Sequence, residues 1–310
     1  MEILEGNHFD IGRRTAVMLG KFDAMHRGHK LLLDQLLVCK EQGACALAFT
    51  FSVPPRALIT GEERRLLMTR EEKRRFFEDH GIDILVEYTF DDAARHMSPE
   101  AFVRDVLCGQ LHAGHVIVGE DFRFGYQRSG DTDLLRRMSS EYSYELCVIP
   151  ELLDSHGEEI SATHILEYVA RGEMEEAEEL LGRPFSYAGL VGHGAGLGHT
   201  FGIPTVNIAL PPEKIVPPYG VYAGTVKFDG RTFAAVSNIG VKPTVTDAGM
   251  AGLEAFILDF SGDLYEKQIE VTLRHYLRPE KRFDDIEALK AQILRDIEKT
   301  RGFGYKSDNY

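Results

Sequence analysis

Two histidines three residues apart, His26 and His29, stand inside Gly20-Lys21-Phe22-Asp23-Ala24-Met25-His26-Arg27-Gly28-His29. Histidine changes charge near neutral pH, and at i and i+3 of a first helical turn two rings face the same side. The apolar run Thr15–Leu19 before them reads as a buried strand, and residues 30–38 after them read as a helix. A glycine-bounded strand-to-helix turn points backbone N–H groups at whatever lies above the strand end, and that geometry attracts phosphate. The histidines could then donate to phosphate oxygens as negative charge develops during transfer. The same ten residues also fit an ordinary turn carrying two solvated histidines.

A second set of polar residues lies far down the chain. Thr205 and Asn207, two apart in Phe201-Gly202-Ile203-Pro204-Thr205-Val206-Asn207, project from one face of a strand. Before them, residues 189–198 carry glycine at most alternate positions, Gly194, Gly196 and Gly198 among them, so one side of an extended segment is bare backbone. Two neutral oxygens beside such a segment suit a hydrated, phosphate-bound Mg²⁺ better than zinc. A flexible connector is the plainer reading of the glycines. Glu254 opens a later strand. A carboxylate there is commonly just solvated, but beside a hydroxyl substrate and the Thr/Asn pair it is a natural general base.

Between these sets, residues 119–131 alternate aromatic and charged side chains between glycines. The loop could tuck its phenylalanines under a sheet, or offer them to a flat aromatic ligand with arginines for phosphate. Ser161 and Thr163 open a helix as caps, a placement that also suits a nucleotide's phosphates.

The elements that must hold these residues follow from periodicity. Through about residue 150 short apolar strands (15–19, 44–51, 82–88, 115–118, 144–149) alternate with helical patterns (30–38, 64–78, 98–107 behind Ser98-Pro99, 133–142). That alternation predicts a parallel sheet covered by helices, with ligands at the carboxyl ends of the strands. One long helix is predicted from Ser161 to about Gly182, with the acidic run 173–179 as its solvated face. At Gly182-Arg183-Pro184 the grammar changes to strands in succession. Asp229-Gly230 marks a hairpin between 221–228 and 232–237, and Ser261-Gly262-Asp263 marks a second between 253–260 and 265–273. Strands at this density predict a small closed antiparallel barrel. Asp284 caps a last helix whose Ile286, Leu289, Ile293 and Ile297 form one apolar stripe.

The 310 residues suffice for two domains, placed at 1–182 and 183–310. A net charge of −14 speaks against a broad nucleic-acid footprint or an anionic membrane surface as partner. Four cysteines without C-x-x-C spacing, no signal-peptide pattern at residues 1–5 and no apolar run of membrane length point to a reducing cytoplasm.

Taken together and in order, these segments resemble the bacterial bifunctional riboflavin kinase/FMN adenylyltransferase (FAD synthetase) family. Residues 20–29 look like its nucleotidyltransferase HxGH signature, 119–125 like its GxDFxFG loop, and Ser161–Thr163 fall at its second phosphate motif. Residues 202–207 look like the kinase PTxN signature, 238–244 like NxGxxPT, and Leu264-Tyr265 and 277–283 also match. The resemblance implies a doubly wound α/β nucleotidyltransferase domain of the HxGH type plus a small antiparallel β-barrel with a terminal helix. It implies ATP-dependent phosphorylation of riboflavin to FMN, then adenylylation of FMN to FAD with release of pyrophosphate, Mg²⁺ accompanying ATP. The roles it implies are Glu254 as base, His26 and His29 as charge stabilisers, and Thr205 and Asn207 at Mg²⁺. Gly20, Phe22, Asp23, Gly28, Ser161, Thr163, Gly194, Gly196 and Gly198 would face ATP phosphates, and Asp121, Phe122, Phe124 and Arg278 the flavin. The chain departs from the family pattern at Leu166, where an arginine is usual, and at Ala162, where a serine is. Val53-Pro54-Pro55 lacks a histidine, and His199 stands where the kinase motif often has arginine. The first three departures fall in the adenylyltransferase half, so the alternative is a riboflavin kinase whose second activity is weakened or absent. A flavin-binding protein without turnover would have no need of Glu254, and a metal hydrolase would need a third ligand that the histidine pair lacks.

Overall fold

Thr15–Leu19 is buried along its whole length and pairs on both sides with parallel strands. It is the centre of a six-stranded parallel sheet ordered β1-β4-β3-β2-β5-β6. These strands are β1 (Glu2–Gly6), β2 (Thr15–Leu19), β3 (Cys45–Phe51), β4 (Ile84–Tyr88), β5 (Ala113–Gly119) and β6 (Glu145–Ile149). The protein is seen here in a computed structural model that describes residues 1–53, 65–192, 205–241 and 251–305. Pro54, Gly194, Gly196, Gly198, His199 and residues 201–204 and 242–244, all read above, lie outside the described residues.

Helices cover both faces of the sheet. α1 (Arg27–Glu41) and α2 (Arg70–Asp79) bury Leu32, Leu33, Leu36 and Phe77 against Ala16, Met18 and Ala48. On the other face α3 (Asp92–His96) is followed by α4 (Pro99–Ala101), which runs on as a π-helical stretch (Phe102–Cys108), and then by α5 (Thr132–Tyr142). Val103, Val106, Leu107, Leu134 and Leu135 pack there on Val17, Leu19 and Val116. Ser98 caps this segment as expected, accepting from the Ala101 N–H. The strand order reverses between β2 and β5, and in such sheets the crevice outside the carboxyl ends at that reversal is where ligands bind. The histidine turn leaves β2 there, and the Gly119 loop leaves β5.

Two expectations need correction in this unit. α2 starts at Arg70 rather than Arg64, because Thr69 accepts from the Glu72 N–H while the Glu72 carboxylate accepts from the Thr69 N–H. That reciprocal pair satisfies two otherwise orphaned donors and fixes the helix start. β1 has no expected counterpart, because Glu-Ile-Leu-Glu-Gly shows neither period-two alternation nor a continuous apolar run, yet it pairs with β4 from Glu2–Ile84 to Gly6–Tyr88.

The chain divides into two compact units, Met1–Ala162 and Thr163–Tyr310. The division falls before the expected boundary at 182/183, and the single helix expected there is two, α6 (Ala162–Arg171) and α7 (Met174–Leu181). Gly172, at φ +77°, breaks them apart. The acidic run is also not merely solvated. Glu178 accepts a two-armed contact from Arg274, and Glu175 pairs with His275, so α7 is pinned to the sheet of the second unit.

That sheet is antiparallel and ordered β7-β12-β9-β10-β11-β8. Its strands are β7 (Phe185–Leu190), β8 (Thr205–Ala209), β9 (Gly220–Phe228), β10 (Arg231–Val241), β11 (Ala251–Ile257) and β12 (Gln268–Pro279). β9 and β10 form the expected hairpin, with Asp229 and Gly230 both at positive φ. The second expected hairpin does not exist. β11 pairs with β10 and β8, whereas β12 crosses over to lie between β9 and β7. The spatial order 12-9-10-11 is a Greek key, so residues 258–267 are a crossover connection rather than a tight turn. The sheet curls until its edges approach, where the Gly192 N–H donates to the Asn207 carbonyl at 2.8 Å.

The last helix, α8 (Ile286–Gly302), is capped by Asp285, which accepts from the Ala288 N–H at 2.7 Å, and not by Asp284. Ile286 is 56 % exposed and outside the buried stripe, while Asp296 and Thr300 are the residues α8 buries most deeply.

Candidate active site

The turn after β2 is built on two residues with uncommon backbone. Phe22 and Met25, both buried, have φ of +51° and +47°. Such conformations persist only where the surroundings over-determine them, and they concentrate at functional turns. Gly20 has no Cβ because one would lie 2.6 Å from the Phe22 ring, and a Cβ at Gly28 would lie 3.1 Å from His26 Nδ1. His26 occupies the N-cap of α1 in extended conformation without capping it by its side chain. The positive end of the helix therefore faces the same space as the rings. His26 and His29 stack at 3.8 Å between centroids, and Phe22 meets His29 edge-on at 5.2 Å. The structure thus brings Gly20, Phe22, Asp23, His26, Gly28 and His29 into one turn at the carboxyl end of β2.

The loop after β5 divides its aromatics. Phe124 turns inward, 7 % exposed, and packs on Phe102 at 5.6 Å while its backbone exchanges two hydrogen bonds with Gly130. Expected to meet a flavin, it is a core anchor of the loop. Gly125 and Gly130 are both needed, since a Cβ at either would strike Pro99. Phe122 stacks on Phe124 at 5.5 Å and stays partly exposed, so of the two phenylalanines it is the one the loop can offer. Asp121 is exposed beside Glu151 and Glu159, the three carboxylates having oxygens within 4.8 Å of one another, a group able to hold a cation. Ser161 and Thr163 flank the first residue of α6, and Leu166 is half-buried within it.

Behind the histidine turn lies a charged network that sequence reading missed. The Glu87 side chain on β4 is 2 % exposed and accepts from both Arg70 and Arg74 of α2. The same two guanidiniums reach Glu5 of β1 at 2.9 and 2.6 Å. Burial alone pushes the Glu87 carboxyl up, but the two arginines outweigh it and hold it below the ordinary value of 4.5. Only the Thr69-x-x-Glu72 box could have signalled where this helix begins, and nothing local signals its partners.

In the second unit the polar residues meet by register. Asn207 on β8, Glu254 on β11 and Asn238 on β10 lie directly opposite one another across three adjacent strands, hence on one face. The Thr205 hydroxyl donates to Glu254 Oε1. On the other side Asn238 Nδ2 donates to Glu280 Oε1 at 3.3 Å, and Glu280 sits where a Cβ of Gly240 would be. The same face carries Val236 and Phe256, which cluster with Ile297 of α8. Arg278, expected at the flavin, is tied to α8. Its Nε and Nη2 donate to buried Asp296 of α8 at 3.0 and 2.8 Å, and Gln292 adds a third donor at 2.9 Å. All four cysteines are unbridged, and burial raises each thiol, Cys108 to about 11.

Comparison with known proteins matches both halves of the chain. The riboflavin kinase family model matches residues 181–303, and the FAD synthetase family model matches residues 9–164. A bifunctional riboflavin kinase/FMN adenylyltransferase of Pseudomonas fluorescens is 36 % identical over 298 residues, covering 95 % of this chain and 94 % of that one. Proteins of the same name are 36 % identical in Escherichia coli K12, covering 92 % and 91 %, and 31 % identical in Listeria monocytogenes, covering 94 % and 93 %. A solved structure from Streptococcus pneumoniae, described as a macrolide-efflux protein, superposes with a TM-score of 0.84 at 25 % identity, covering 97 % and 99 %. Among the described residues no helix is long and apolar enough to cross a membrane.

Proposed function

The chain belongs to the bifunctional riboflavin kinase/FMN adenylyltransferase family, and we propose that it phosphorylates riboflavin to FMN and then adenylylates FMN to FAD. The observation that carries the first activity is the Thr205–Glu254 hydrogen bond beside Asn207, on one face of a curled sheet. Glu254 accepts the proton of the ribityl 5′-hydroxyl as that oxygen bonds to the γ-phosphorus of ATP and the bridging bond to the β-phosphate breaks, giving FMN and ADP. Thr205 and Asn207 orient the phosphates. Their hydroxyl and amide oxygens, next to a carboxylate, are the hard donors that fit Mg²⁺, which when bound neutralises phosphate charge.

In the first unit the phosphate of FMN attacks the α-phosphorus of a second ATP, and the bond to pyrophosphate breaks. His26 and His29 donate to the oxygens gaining charge, and the N-terminus of α1 adds its partial positive charge. In this reading Phe122, whose ring is partly exposed, and Asp121 of the same loop meet the flavin. A cytoplasmic setting agrees with four unbridged thiols. Leu166, where the family pattern has arginine, favours one second reading: a kinase whose adenylyl transfer is slowed or lost.

Incubating the purified chain with riboflavin, ATP and Mg²⁺, and resolving flavins by chromatography over time, tests both. FMN rising first and FAD following is expected. FMN alone would support the second reading, and neither product would overturn the proposal.

A further inference from the structure

α2 grips the histidine turn at two points that none of the steps above uses. Lys73 and Phe77 stand at i and i+4 and so share one face of the helix. Phe77, fully buried, meets Phe22 edge-on at 5.5 Å, and Phe22 in turn meets His29. Lys73 Nζ donates to the Lys21 carbonyl at 2.8 Å, where the buried Thr50 hydroxyl also donates, at 2.9 Å. The Lys73 side chain is 12 % exposed, and its ammonium lies 3.9 Å from the Asp23 carboxylate.

Removing an ammonium from water is costly unless it gains compensating partners. Docking of α2 onto the sheet does not require this one, because Arg70 and Arg74 already clamp Glu87 and Glu5. Lys73 is aimed instead at the peptide carbonyl immediately before Phe22, whose φ of +51° starts the unusual backbone of the turn. Two donors on one carbonyl fix the orientation of that peptide plane. Three residues further on, Met25 has the second positive φ, and His26 follows it. Burial draws the Lys73 ammonium below its ordinary value, while the Asp23 and Glu87 carboxylates pull the other way.

We propose that Lys73 is a positioning residue for adenylyl transfer: with Thr50 it locks the Lys21 carbonyl and faces Asp23, setting the backbone that carries His26 and His29. The inference rests on the adenylyltransferase reading of this turn. A reacting group displaced by about 1 Å costs on the order of a hundredfold in rate, whereas binding through the rest of the ligand is kept.

The test measures FAD formation from FMN and ATP by the full-length wild type, Lys73→Met, Lys73→Arg and Thr50→Val, with riboflavin phosphorylation by the same preparations as internal reference. Lys73→Met is expected to lower kcat for FAD about a hundredfold, with KM for FMN and ATP changed by no more than about threefold. Lys73→Arg, which keeps charge and donor, is expected to recover most of kcat. Thr50→Val, which removes the other donor, is expected to lose kcat less and also to spare KM. Thermal melting of each variant identifies loss of fold, and Thr50→Val carries the test if Lys73→Met does not fold. Unchanged kcat in folded Lys73→Met, a loss seen in KM alone, or an arginine variant no better than methionine overturns the inference. So does unchanged kcat in Thr50→Val where that variant carries the test. Wild type that makes FMN but no FAD overturns the adenylyltransferase reading itself, and this inference with it.

Discussion

His29 is braced on two sides, stacked on His26 and edge-on to Phe22, at the start of a helix whose positive end faces the same space. A ring held this way donates without first being reoriented, so its loss removes stabilisation of developing charge more than it removes binding. His29→Ala is therefore expected to lower the rate of FAD formation on the order of a hundredfold while phosphorylation of riboflavin is unaffected. Steady-state assays of the two reactions separately check this. His26, His29, Gly20 and Gly28 could be read from sequence because their geometry is set within ten residues. Lys73 could not, because its partner Lys21 is 52 residues away and only the packing of α2 on the sheet brings them together. The two loop phenylalanines show the same limit. Their alternation with charges marked a loop of interest, but which ring turns inward depends on Phe102 and Pro99, contributed by another segment.

At the scale of elements, α2 joins three tasks in ten residues: the Thr69–Glu72 box starts it, Arg70 and Arg74 clamp Glu87, and Lys73 with Phe77 supports the turn. The clamp makes stability depend on pH with a definite sign. Glu87 titrates lower in the folded chain than its ordinary value of 4.5, so the ionised carboxylate stabilises the fold at neutral pH. That contribution is complete above about 4.5 and is lost as pH falls through the lower folded value. Glu87→Gln is expected to cost about 2 kcal/mol at pH 7, less than the roughly 3–5 kcal/mol of a fully buried broken pair, because both guanidiniums still reach solvent. Melting curves of wild type and variant at a series of pH values should converge on acidification, because the variant lacks this titration. Helix and strand types were legible from periodicity through most of both units. Strand pairing was less so: the run 251–273 contains two good strands and a turn signal, yet the strands are not neighbours. Alternation reveals a strand's faces, whereas its partner is chosen by the curl of the whole sheet.

For the whole molecule, the consequence that matters is the order of the reactions, because the product of one site is the substrate of the other. Glu254 lies in the second unit, Thr163–Tyr310, and the histidine turn in the first, Met1–Ala162. The order of motifs along the chain made this division of labour legible from sequence. The structural division at Ala162/Thr163 was not legible, because the helix after it joins the second unit through Glu175 and Glu178 pairing with His275 and Arg274 about a hundred residues on, long-range contacts that sequence spacing does not report. Glu254→Gln keeps the shape of the base and removes its capacity to take a proton. With riboflavin as substrate it is expected to slow FMN formation by about 10²- to 10⁴-fold, and FAD should fall with it for want of FMN. With FMN supplied directly, the same variant should form FAD at the wild-type rate. His29→Ala should give the reverse pattern, accumulating FMN from riboflavin and failing on FMN. Parallel assays of both variants on both substrates decide the matter. Loss of FAD formation from supplied FMN in folded Glu254→Gln would show that this carboxylate serves both reactions, contrary to the assignment of one site to each unit.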